Sequence, residues 1–98
     1  MAKYLITWKI DQAKIPLDPK QRGEGWGFLL SMVKQDIEKK LTTDWGAFVG
    51  EASGYSVLEG SEVEVMKALQ RYVPYCVFKV HPIATVRQVE EMLEALAG

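Results

Sequence analysis

The amino-acid sequence predicts one α+β domain, residues 1–98, in which strands and helices follow one another as β-α-β-β-α-β with a further helix at the end. Three observations carry that expectation. Short apolar runs near the start, the middle and the last third of the chain alternate at period two, as half-buried strands do. Between them lie longer stretches whose apolar residues recur at helical spacing. At the centre, WGAFVGEASGYSVLEG (45–60) places two apolar runs around the turn-rich Gly50-Glu51-Ala52-Ser53-Gly54, the pattern of a β-hairpin.

In chain order, Lys3–Ile10 alternates, with Tyr4, Ile6, Trp8 and Ile10 on one face and Leu5, Thr7 and Lys9 on the other. Residues 11–17 form a connector in which Pro16 ends regular structure. Asp18-Pro19 then opens a helix, Asp as N-cap and Pro in the first turn. Gly23, Gly25 and Gly27 weaken its opening turns by up to about 1 kcal/mol each relative to alanine. Either the helix proper begins near Gly25, or these glycines admit a close neighbour. From Trp26 onward, Trp26, Leu29, Leu30, Val33, Ile37 and Leu41 share one stripe, while Lys34, Gln35, Glu38 and Lys39 fill the opposite side. Phe28 and Met32 lie off the stripe and suggest a second contact surface.

Residues 41–44 close this helix and lead into hairpin strands at 45–49 and 55–59, with Gly54 supplying the left-handed backbone of the turn. Ser61 and Glu64 have capping-box spacing and open a second helix with Val65, Met66, Leu69, Tyr72 and Val73 on its apolar face. Pro74 stops it. Residues 75–81 alternate as a fourth strand, which Pro82 ends. Thr85 and Gln88 form a second capping-box pair. In the final helix Val86, Val89, Met92, Leu93 and Leu96 line one side, and Arg87, Glu90, Glu91 and Glu94 much of the other.

This element order is the split β-α-β arrangement of the ferredoxin-like fold. Right-handed crossovers then give an antiparallel sheet of order 4-1-3-2, with two helices on one face, the other face open, and the C-terminal helix extra. The open face is not wholly polar, because both parities of the strands carry apolar residues: Ile6 and Leu5, Val57 and Leu58, Phe78 and Val77. A homodimer through that face, or the C-terminal helix folding back over it, would cover it.

Composition narrows the function classes. The chain is 48% hydrophobic and 26% charged, which fits a globular domain rather than a disordered one. Twelve basic and thirteen acidic residues leave a net charge of -1, which argues against duplex DNA or an anionic membrane as partner. The single cysteine, Cys76, forms no internal disulfide, and the short, punctuated N-terminal apolar run is no signal peptide; both point to the cytoplasm. No apolar run approaches the roughly 20 residues of a membrane helix.

No residue cluster amounts to an active site. His81 is the sole histidine, and spacing brings it no orienting carboxylate, although Glu59 ends the second hairpin strand and stands as a possible neighbour. The structural reading of His81 outweighs the catalytic one. No metal site is expected: Cys76 and His81 have opposite strand parity, and Cys76 reads as a small core residue. GEGWG at 23–27 is not a phosphate-binding fingerprint. Trp8, Trp26, Trp45, Tyr55 and Tyr72 suit packing first and a planar ligand second. RNA-recognition modules share the topology, but in their third-strand pattern only Gly54 and Tyr55 fit; Ser53, Val57 and Gly60 replace a basic residue and two aromatics.

The first strand KYLITWKI, the segment DWGAFVGEASGYSVLEG and the run PYCVFKVHPI together resemble the dimeric α+β barrel group, which includes muconolactone isomerases and small monooxygenases. The closest likeness is to uncharacterised prokaryotic small domains. The resemblance implies two protomers with facing sheets and a pocket between each sheet and its helices. No catalytic motif of the characterised enzymes is matched, and no cofactor is expected. The functional expectation is a cytoplasmic homodimer that binds a small apolar or aromatic molecule, with Trp8, Trp45, Tyr55, Glu59 and His81 as candidate contacts. The alternatives are an isomerase or cofactor-free monooxygenase using His81 and Tyr55 as acid/base groups, and a non-catalytic interaction dimer.

Overall fold

The computed structural model describes residues 2–98. Strand β1 (Lys3–Ile10) is followed by a 3-10 turn at Gln12–Lys14 and by helix α1 (Pro19–Glu38). Strands β2 (Thr42–Ala47) and β3 (Ser53–Glu59) form the hairpin; helix α2 (Glu62–Gln70), strand β4 (Cys76–Ile83) and helix α3 (Val86–Ala97) complete the chain. The sheet has four antiparallel strands in the order β2-β3-β1-β4. The protein is therefore α+β, with β1 and β3 central and β2 and β4 at the edges.

The capping signals act as expected. Asp18 accepts from the Gln21 amide, and Pro19 occupies the first turn of α1. Both capping boxes are reciprocal: Ser61 with Glu64 at α2, and Thr85 with Gln88 at α3. The Ser61 backbone bond, followed by its side-chain bond, holds the Glu64 carboxyl below its usual range. The connector is less irregular than expected, because Asp11 caps the 3-10 turn.

Several boundaries differ. Helix α1 runs unbroken from Pro19 through the glycines, and a Cβ on Gly23, Gly25 or Gly27 would meet nothing within 4 Å. So the helix does not begin near Gly25, and among the described residues of the chain no close neighbour accounts for these glycines. The Asp18 cap, and Arg22 reaching back to the Pro16 and Leu17 carbonyls, anchor the first turns despite the weak residues. At the other end α1 stops at Glu38, before Leu41. Lys40 adopts the left-handed conformation (φ 61), and the Lys40 and Leu41 amides bond back to the Ile37 and Asp36 carbonyls. This is a Schellman stop with lysine where glycine is usual, and it frees residues 42–44 for β2.

In the hairpin, the left-handed residue is Gly50 (φ 86), not Gly54. Gly54 is a buried strand residue, and a Cβ there would run into the Gly46 carbonyl oxygen and the Trp8 indole. Its requirement is space rather than backbone freedom. Pro82 does not end β4, which continues to Ile83; β4 is an edge strand, where a missing amide is tolerated.

The core is small and lies on one face of the sheet. Ile6 is the one large side chain fully buried among the described residues (0% exposed), and Tyr4, Leu58, Val65 and Ala68 surround it. Leu41, Leu69 and Phe78 close its edges. Helix α3 does not fold back over the sheet: it is exposed throughout, its apolar stripe included. The molecule extends 61 × 25 × 19 Å, with a radius of gyration of 16.3 Å, against about 13 Å for a compact chain of this length.

Two substitutions test these backbone assignments by thermal unfolding. Lys40→Gly removes left-handed strain and is expected to stabilise the protein by about 1 kcal/mol. Gly54→Ala, with no room for its methyl, is expected to destabilise it by about 1–3 kcal/mol. Equal stability of Gly54→Ala and wild type would contradict the close Trp8 contact.

Candidate functional site

Strand parity sorts the candidate residues onto two faces. Tyr4, Ile6, Trp8 and Ile10 face the helices, as do Ser56 and Leu58 of β3 and Cys76 and Phe78 of β4. Leu5, Thr7, Tyr55, Val57, Lys79 and His81 are cross-strand neighbours on the other face. The proposed contacts are therefore divided: Trp8 and Trp45 lie on the helix side, and Tyr55, Glu59 and His81 on the open side.

Trp8 and Trp45 form the most distinctive part of the helix side. Their rings stack with centroids 5.5 Å apart and 10° between planes. Gly54 pairs with Trp8 across the β1–β3 ladder, and its missing side chain leaves the indole room. The Trp8 indole N–H donates to the Tyr55 carbonyl at 3.1 Å, so its polar edge is satisfied by the sheet.

Beside this stack a cleft of about 250 Å³ opens between sheet and helices. Its floor includes Trp8, Trp45, Ser56 and Phe78; its roof is Trp26, Leu29, Leu30 and Val33 of α1; Leu69 and Tyr72 wall one end. The volume falls just below the range of ligand clefts, about 300–1,000 Å³. Trp26 and Leu30 stay exposed at its rim, so the stripe predicted on α1 faces the sheet without closing onto it. Ile37 is also exposed, and Leu41 lies beyond the helix. Phe28 is exposed rather than packed.

The polar end of the cleft was not legible from motif reasoning. Asp36, on α1, is 3% exposed and lines the cleft. Its Oδ1 accepts from Arg71 Nη1 at 2.7 Å and its Oδ2 from the Tyr72 hydroxyl at 2.8 Å. Arg71 Nη2 also donates to Gln35 Oε1 at 3.4 Å. Burial, and then the bond to Asp36, holds the Tyr72 phenol well above its usual range. Tyr72 meets Phe78 edge-on, with centroids 6.1 Å apart. The sequence does carry a signal for this cluster: Asp36 sits between Val33 and Ile37 on the apolar stripe of α1, where a carboxylate needs a partner.

Cys76 is half-buried at the cleft rather than in the core, and burial pushes its thiol up. It pairs across from Ile10, whereas His81 pairs across from Leu5, so the two occupy opposite faces. On the open face, the Tyr55 hydroxyl donates to Asp44 Oδ1 at 3.1 Å, and this bond raises its pKa. Glu59 lies opposite Lys3. With β1 between their strands, His81 and Glu59 are at least about 10 Å apart, two inter-strand spacings. Glu59, named as a possible neighbour of His81, makes no hydrogen bond or ion pair with it among the described residues.

No protein-family model matches the chain, and no curated protein is significantly similar to it. Among the described residues, no helix is long and apolar enough to cross a membrane.

The Asp36 cluster makes two predictions. Asp36→Ala leaves Arg71 and Tyr72 without their acceptor and is expected to cost about 2–4 kcal/mol, since breaking a buried pair strands its partners. Raised pKa values at Tyr72 and Cys76 mean that the unfolded chain loses these protons first. Their contribution is complete below the unfolded values, and stability then falls as pH rises, from about 8.5 for the thiol and about 10 for the phenol. Tyr72→Phe is expected to flatten the decline above about pH 10 in denaturant titrations; an unchanged slope would contradict the assignment.

Proposed function

We propose that this protein is a small cytoplasmic homodimeric domain that binds a small apolar or aromatic molecule in the cleft between its sheet and helices. The observation that carries this reading is the cleft itself: a largely apolar space beside a tryptophan stack, with a third tryptophan on the roof and the Asp36 carboxylate among the few polar groups that line it. Packing alone gives α1 no reason to stand off the sheet. A planar ligand between Trp26 and the floor would bury apolar surface that the free protein leaves wet.

The fold reading beneath it is ferredoxin-like, of the dimeric α+β barrel type. The central positions of β1 and β3, and helices contributing to one side of the sheet, support it. The dimer is supported by the apolar surface a single chain leaves exposed. Leu5 and Val57, both half-buried, are adjacent on the open face, and Val77 on β4 is exposed. Surfaces of this kind mark association sites. In such a dimer Tyr55 and His81 belong to the sheet–sheet interface, so the isomerase or monooxygenase alternative places their acid/base chemistry away from the cleft. The interaction-dimer alternative draws on α3, whose exposed stripe has no partner in its own chain.

Light scattering after size exclusion is expected to give twice the 11.1 kDa chain mass, and Leu5→Lys is expected to give the monomer. A strict monomer at micromolar concentration would remove the dimer. For the cleft, a thermal-shift panel of small aromatics is expected to include stabilising members. A ligand at 100-fold its dissociation constant adds ~2.7 kcal/mol. An unmoved transition across the panel would count against ligand binding.

A further inference from the structure

Resting on the cleft reading, we propose that the ligand is an aromatic molecule carrying an uncharged hydrogen-bond donor, such as a phenolic hydroxyl or a ring N–H, and no anionic group. The argument begins with the charges that reach the cleft. Asp36 and Glu51 line it, and among the described residues no lysine, arginine or histidine does. A ligand carboxylate entering this space would be desolvated with no free cation to receive it. Arg71 does not line the cleft, and its two terminal nitrogens are engaged by Asp36 and Gln35.

The polar groups that do face the cleft are acceptors or hydroxyls. Asp36 accepts one bond on each oxygen, and a carboxylate has sites for about four. It therefore has acceptor capacity left at the buried end of an apolar space. Ser56 and Thr42, 6% and 5% exposed, also line the cleft. Among the described residues neither hydroxyl bonds to another protein group, and neither is sealed off from the cleft as a buried unsatisfied atom. A hydroxyl adapts to donor or acceptor; the Asp36 carboxylate accepts only. Because the Asp36 charge is already met by Arg71 at 2.7 Å, the site gains little from a second cation. A neutral donor satisfies Asp36 while the aromatic body occupies the space under Trp26.

The test compares ligands with one aromatic body: 2-naphthol, 2-methoxynaphthalene and 2-naphthoate, titrated calorimetrically into the wild-type protein at pH 7. The expected order is naphthol tightest, the methyl ether about tenfold weaker for want of the donor, and naphthoate weaker by tenfold or more. Asp36→Asn is expected to narrow the gap between naphthol and naphthoate. Ser56→Ala, which removes only a hydroxyl able to donate to the oxygen of either ligand, is expected to weaken naphthol and the ether alike and to leave the gap between them unchanged. Binding of all three with equal affinity, or naphthoate tightest, would overturn the donor assignment while leaving the cleft as a ligand site. Failure of all three to bind would overturn the cleft reading and this one with it.

Discussion

The contact on which the arrangement of this protein depends is the buried carboxylate of Asp36 held between Arg71 and the Tyr72 hydroxyl. It is the one buried residue of α1, a helix of 20 residues. An amphipathic helix is ordinarily held to its sheet by its apolar stripe. Here the stripe faces a cleft, and the polar cluster ties the C-terminal part of α1 to the segment just after α2. Removing a carboxylate from water is costly unless partners satisfy it. With both oxygens engaged, the cluster sets where α1 sits and so how far its apolar side chains stand above the sheet.

The second constraint is the sheet's parity. Each strand sends alternate residues to opposite faces, so the register of β1 with β3 and β4 divides the aromatic and polar side chains into two populations. Trp8 and Trp45 join the helix side, where Gly54 makes room for the indole. Tyr55 and His81 join the open side with Leu5 and Val57. The two faces of one small sheet thus carry different sets of residues, the helix-side cleft and the open face sharing none. The core around Ile6 is small, and neither tryptophan is part of it.

Much of the local structure was legible in the sequence because it depends on neighbours a few residues apart. The Asp18-Pro19 start and the two capping boxes are satisfied within one helical turn, so residue type and spacing suffice to place them. The misreadings concern positions whose role is set at a distance or by backbone geometry. Gly54 reads as a turn glycine until Trp8 is seen beside it. Lys40 gives no hint of a left-handed stop, because lysine does not favour that conformation. Pro82 ends a strand unless the strand lies at an edge.

The candidate site divides along the same line. The sequence by itself determined the alternation of strands and helices, the alternate-face rule that separates Trp8 from Leu5, and the supply of aromatic side chains, because periodicity and composition are local properties. Only the tertiary structure decided that Trp8 stacks on Trp45, that His81 and Glu59 stay apart, and that Asp36 meets Arg71 and Tyr72 across 35 and 36 residues of chain. Those contacts join elements brought together by sheet register and helix placement. A one-dimensional pattern shows that a carboxylate on an apolar stripe needs a partner; the fold chooses which one.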